Sequence, residues 1–176
     1  MTAVRSALLV AVLSGAACDD GLTPRPRPTT CPTGFVGLCG TVTFRGALPE
    51  STDAVFIVAY ATFPTSQSEL FDFQPVPPPM LLLDSAARAD SQPYLLPLPS
   101  GTYEWVLAAW KKQGTLTPAN ADSLLREAGF FRDPADTTQP GSVDVSGTGR
   151  DSINFVVDFT NMHPVSFYFP AAAQRR

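Results

Sequence analysis

Residues 102–112 read TYEWVLAAWKK, and their alternation decides the fold. Tyr103, Trp105, Leu107 and Ala109 fall on one side of an extended chain, and Glu104, Val106, Ala108 and Trp110 on the other. Successive side chains of a strand point to opposite faces. The second half is apolar on both sides, which predicts a strand covered on each face. Ser100 and Gly101 supply the turn that enters it. Residues 54–62 (AVFIVAYAT) have the same two-sided character, rich in β-branched and aromatic residues. Upstream, Leu38, Gly40, Val42 and Phe44 alternate with Thr41, Thr43 and Arg45. With residues 46–53 (GALPESTD) as the turn, these two segments read as a hairpin.

Working outward, residues 63–79 are proline-rich and carry Phe71 and Phe73, a long loop draped over one edge. Residues 80–84 (MLLLD) suit a short strand. Residues 94–98 suit an edge strand, because Pro97 cannot donate to a ladder. One helix is predicted, over residues 117–128 (TPANADSLLREA), as cover for the central strand. Thr117 or Asn120 caps it, Pro118 suits its first turn and Gly129 its end. Further strands follow at 129–132 (GFFR), at Val143 and Val145, along Ile153, Phe155, Val157 and Phe159, and at 165–169 (VSFYF). Eighteen prolines and twelve glycines favour many turns. Seven to eight short strands with one short helix predict an all-β domain, an antiparallel β-sandwich over residues 31–170, with a loose tail at 171–176.

The first seventeen residues are built differently. Arg5 precedes an apolar run, ALLVAVL at 7–13, too short to cross a bilayer, and Ser14 to Ala17 are small. That is a secretory signal peptide. Gly15 and Ala17 satisfy the small-x-small rule for ordinary cleavage, which leaves a secreted or periplasmic protein. Cys18 follows at once, and the stretch resembles a bacterial lipoprotein signal, with Gly15 where that signal usually has leucine. The resemblance implies that Cys18 is acylated and becomes the first mature residue. It places the protein in the bacterial cell envelope, held to a membrane by lipid, in a leaflet the sequence leaves undetermined. Each buried methylene contributes about 0.8 kcal/mol to such an anchor. Residues 18–30 (CDDGLTPRPRPTT) then form a tether, extended at roughly 3.1 Å per residue by its alternating prolines. Of the three cysteines, Cys31 and Cys39 remain as an even pair for an oxidising compartment, a disulfide. Its short loop contributes about 2–3 kcal/mol in the entropic picture.

Charge and motif content exclude several functions. The net charge is −4, and losing residues 1–17 removes Arg5 and no acid, leaving −5. Nucleic acid is a poor partner for such a chain. The one histidine, His163, stands beside Pro164 and reads as a loop or strand-end residue. There is no G-x-S-x-G, no H-E-x-x-H and no G-x-x-x-x-G-K. Asp133, Asp136, Asp144, Asp151 and Asp158 lie in or near turns without the spacing of a calcium loop. No catalytic residue, metal or cofactor is expected, and the protein is not expected to be an enzyme.

The stretches GTVTFRG, AVFIVAY and YLLPLPSGTYEWVLAAW resemble transthyretin-like or carboxypeptidase-regulatory-like modules of bacterial surface proteins. The shared turn is Leu98-Pro99-Ser100-Gly101-Thr102-Tyr103, and the resemblance spans residues 40–159. It implies a transthyretin-like or Ig-like sandwich and hands over no active-site residues. The expected function is a non-catalytic binding or assembly module of the envelope. It would present one end of the sandwich, or the 63–79 loop with Phe71 and Phe73 as candidate partner-binding residues, to an envelope protein. The alternative is a carbohydrate-binding accessory domain, in which exposed Tyr103, Trp105 or Trp110 would stack on sugar rings.

Overall fold

The computed structural model describes residues 30–73, 81 and 90–169. The signal peptide, Cys18, the tether up to residue 29, residues 74–79 of the proline-rich loop and the tail at 171–176 lie outside them. So does the expected strand at 80–84, apart from Leu81, whose N–H donates to the Val55 carbonyl at 2.9 Å.

The fold is all-β. Strands β1 (Gly37–Arg45), β2 (Thr52–Tyr60), β3 (Ser91–Pro97), β4 (Gly101–Tyr103) and β5 (Trp105–Lys112) precede a four-residue helix α1 (Ala121–Leu124). Strands β6 (Leu125–Phe130), β7 (Val143–Val145), β8 (Phe155–Asp158) and β9 (His163–Pro164) and a second short helix, α2 (Val165–Tyr168), complete the order. Three sheets result, in the orders β3-β1-β8, β2-β5-β6-β9 and β4-β7. All three contribute to one buried apolar cluster. Val42 and Phe44 of β1, Leu96 of β3 and Val157 of β8 meet Val55 and Ile57 of β2, Val106 and Trp110 of β5, and Val143 and Val145 of β7. Leu38, Val42, Val55, Ile57, Leu96, Val106 and Val157 are fully shielded from water. Each such side chain contributes roughly 1.5–3 kcal/mol on burial.

Cys31 and Cys39 stand at disulfide distance, with Cα atoms 5.3 Å apart, and the pair ties residue 31 to the start of β1. β3 does lie at a sheet edge, where Pro93 and Pro97 are tolerated. The alternation from Ile153 to Phe159 is also present, all four odd-numbered residues being buried.

Six expectations are corrected. β1 and β2 are not a hairpin: residues 46–51 carry the chain from one sheet to another, so that β2 pairs with β5. β1 instead pairs with β8 in parallel, an exception to the expected antiparallel order. The described part of the 63–79 loop, 63–73, packs over the outer face of β2 and β5 rather than along an edge.

The strand at 102–112 breaks at Glu104, whose N–H donates to the Tyr60 carbonyl at 3.0 Å while its carboxylate accepts the Phe63 N–H at 2.9 Å. β4 is thereby released to pair with β7, where the Thr102 hydroxyl donates to Asp144 at 2.6 Å. Tyr103 enters the shared core and its hydroxyl donates to the Pro99 carbonyl at 2.9 Å, whereas Trp105 lies on the opposite face of the larger sheet.

The helix expected over 117–128 shrinks to a 3-10 turn, Pro118–Asn120, and α1. Thr117 and Asn120 do form a capping box. From Leu125 the chain becomes strand β6, because pairing with β5 outweighs local helix preference. Finally, 165–169 forms α2 instead of a strand. Val165, Tyr168 and Phe169, at helical spacing i, i+3 and i+4, turn toward the molecule while Phe167 is left exposed.

Candidate functional site

The outer face of the four-stranded sheet is apolar because β2 and β5 are apolar on both sides. Phe56, Val58 and Tyr60 of β2 lie beside Ala109, Leu107 and Trp105 of β5 in register. Three separate pieces cover this face: residues 63–73, the 116–125 stretch and α2. Their side chains do not fill the space they enclose. A cavity of about 420 Å³ remains between sheet and cover, within the range of small-molecule sites. Phe71 and Phe73, both half-buried, form part of its wall. The Tyr60 hydroxyl fixes the cover by donating to the Leu70 carbonyl at 2.7 Å, and Phe73 meets the Tyr60 ring edge-on at 6.3 Å.

Trp105 is the centre of the aromatic wall. Its ring lies 4.7 Å from Phe63, 5.2 Å from Tyr168 and 5.5 Å from Tyr60. Only 2% of it is exposed, and its indole Nε1 has no hydrogen-bond partner among the described residues. An unpaired buried donor is uncommon, since buried polar groups are normally satisfied.

Polar groups meet the cavity in two places. Glu127 of β6 is the one buried charged residue among those described. Its Oε2 lies 2.8 Å from His163 Nδ1 and accepts the Tyr168 hydroxyl at 2.9 Å. Burial, and then the charge of Glu127, push the Tyr168 hydroxyl up, so it remains a donor at all ordinary pH. His163 stacks on Phe167 at 4.3 Å. Among the described residues no hydroxyl or thiol is bonded to His163. Toward the other end Lys111 Nζ is held by Asp53 and by the Gly114 carbonyl at 2.8 Å.

The remaining sequence candidates are scattered. Trp110 is 5% exposed and donates to the Thr52 hydroxyl at 2.7 Å, so neither tryptophan offers a free face for sugar stacking. Asp136 and Asp158 accept bonds from Thr138 and Thr160 two residues on, and Asp133 from the Ala135 N–H. Asp144 serves Thr102, and Asp151 accepts the Cys31 N–H. Asp151 also approaches both cysteine sulfurs, which are committed to each other. His163 is a strand-end residue as read, but its partners were not foreseen. The sequence pattern puts Glu127 on a helix and Tyr168 on a strand, and neither placement brings them together. The i, i+3, i+4 spacing of Val165, Tyr168 and Phe169 was the available signal.

Comparison of the chain with known protein families, with curated proteins and with solved structures found no match.

Proposed function

We propose that the protein is an exported, lipid-anchored, non-catalytic binding module of the bacterial cell envelope, and that it binds through the apolar recess walled by Phe71 and Phe73. The leader and Cys18 support the location. The recess supports the binding reading: an apolar cavity of this size, bordered by a few fixed polar groups, is the usual form of a binding site. Among the described residues no helix is long and apolar enough to cross a membrane, and lipid on Cys18 would supply the attachment. The Leu98–Tyr103 turn that resembles transthyretin-like modules acts here as a brace between β4 and its neighbours, a role consistent with a scaffold.

The test is cross-linking of the native chain in detergent-solubilised envelopes, with intact-mass analysis of what is recovered. The expected result is an acylated Cys18 and a stoichiometric protein partner. That partner is lost in a Phe71→Ser/Phe73→Ser variant that stays folded by circular dichroism. Equal recovery with both proteins would overturn the role of the recess, and an unmodified Cys18 would overturn the anchor.

A further inference from the structure

We infer that a second, open cleft binds a small aromatic carboxylate, its ring against Phe167 and its carboxylate on Arg132. The cleft measures about 500 Å³, within the range of small-molecule sites. It lies beside the recess of Phe71 and Phe73, and Trp105, His163 and Tyr168 belong to both walls. The inference stands apart from the binding role given to that recess. Aromatic rings supply most of the wall. Phe63 and Tyr168, both half-buried, lie 4.7 and 5.2 Å from the Trp105 ring. Phe167, 60% exposed, is the most exposed large apolar side chain among the described residues. Its ring stacks on His163 at 4.3 Å and meets Tyr168 edge-on at 5.1 Å, and His163 is in turn held by Glu127. A ring already fixed in this way loses little freedom when a further ring packs on it, and preorganisation of that kind favours binding.

Charge selects the other half of the ligand. The chain is acidic, with a net charge of −4, yet among the described residues no acidic side chain lines this cleft. Arg132 does line it. The guanidinium lies 4.4 Å over the Phe130 ring, and its Nη1 donates to the Thr137 carbonyl at 2.6 Å. Phe130 and Thr137 both line the cleft, so these two contacts place the guanidinium itself on the wall. Neither contact neutralises it, and among the described residues no carboxylate forms an ion pair with it. Arginine carries five N–H donors, so one carbonyl leaves others for a carboxylate, which arginine grips bidentately. The segment that carries Thr137 is tied down: the Asp133 N–H donates to the Gln139 carbonyl at 3.0 Å and the Gly141 N–H to that of Phe131 at 2.9 Å. Glu127 does not line the cleft, and its Oε2 is engaged by His163 and Tyr168. A cationic ligand would meet Arg132 on the ring that should receive it. A sugar would need partners for each hydroxyl, and the Thr138 hydroxyl is already spent on Asp136. A flat ring with one carboxylate makes neither demand.

Calorimetric titration of the full-length protein with 2-naphthoate, and with 2-naphthamide as its neutral isostere, separates the outcomes. The acid is expected to bind about fivefold more tightly than the amide, the worth of one good exposed ion pair. Arg132→Gln should abolish that preference and leave the amide unchanged, a pattern that general loss of structure does not produce. Phe167→Ser should weaken both probes by about fivefold, the worth of an aromatic pair. Phe71→Ser/Phe73→Ser should bind both like the parent. The inference is overturned if 2-naphthoate does not bind, if the amide binds the parent equally well, if Arg132→Gln weakens both probes alike, or if Phe167→Ser binds unchanged. Tighter binding of glucuronate than of 2-naphthoate would overturn it in favour of an acidic sugar. Loss of binding in Phe71→Ser/Phe73→Ser would overturn it by moving the ligand to the recess. Envelope capture lost in that variant, with no binding of 2-naphthoate to the parent, would remove the cleft and leave the binding module standing. Failure of both would remove both.

Discussion

Glu127 receives two side chains on one carboxylate oxygen in a buried setting, so its removal is felt through what it leaves behind. Glu127→Ala strands the Tyr168 hydroxyl and is expected to cost about 1–3 kcal/mol in denaturant unfolding. Glu127→Gln keeps an acceptor and should cost clearly less; equal losses would mean that the hydrogen bonds are not the cause. Gly129 is a second residue whose identity is dictated by its place. Its φ is +152°, and a Cβ there would lie 1.8 Å from the Val156 carbonyl oxygen, where β6 passes against β8. Gly129→Ala is expected to destabilise by about 2 kcal/mol or more, read as a lowered unfolding midpoint. Sequence placed this glycine at a helix end, which also favours positive φ. Composition alone does not separate a helix stop from a close crossing of strands.

The strands were legible wherever alternation ran uninterrupted, as in β1, β2, β5 and the Ile153–Phe159 stretch. The short helices were not, because each is one turn long and held by tertiary bonds. Ala121 packs with Val165 and Phe169 between them, and the Asp122 carboxylate accepts the Ser166 N–H at 2.6 Å. That bond lowers the Asp122 carboxyl below the usual aspartate range. Its stabilising effect is therefore present above about pH 4 and lost as pH falls through the lowered folded value. Because Asp122 is largely exposed, Asp122→Ala should cost only about 0.5 kcal/mol at neutral pH. The gap between variant and parent should close in acid. A gap that does not narrow as the pH falls would assign the loss to packing. Strand partners were equally hidden from local reading. β1 followed by a turn and β2 looks like a hairpin, yet both faces of β2 need cover, and only the sheet beneath the 63–73 segment gives it two.

Across the whole molecule, all four tyrosines are donors. Tyr60 serves Leu70, Tyr94 the Ile153 carbonyl at 2.7 Å, Tyr103 Pro99 and Tyr168 Glu127. Burial raises all four hydroxyls above their ordinary value. A raised tyrosine stabilises fully below about pH 10 and loses that contribution as pH climbs toward the folded value. Phenolate absorbance should then emerge together with unfolding, in one cooperative alkaline step. A gradual rise near pH 10 with intact circular dichroism would contradict this. The same distribution of aromatics gives the molecule its asymmetry: one sheet face buried in a shared core, the other beneath a cover that leaves space. Sequence marked Phe71 and Phe73 as candidates on this cover but could not show that they wall a cavity, since the facing residues lie on β2, β5 and α2.

A photo-cross-linking amino acid placed at Phe71, with the same group at the exposed Leu95 on β3 as control, tests the binding role most directly. The expected result in living cells is a discrete adduct from position 71 and none from position 95. No adduct from position 71, or the same adduct from both, would contradict a recess that binds.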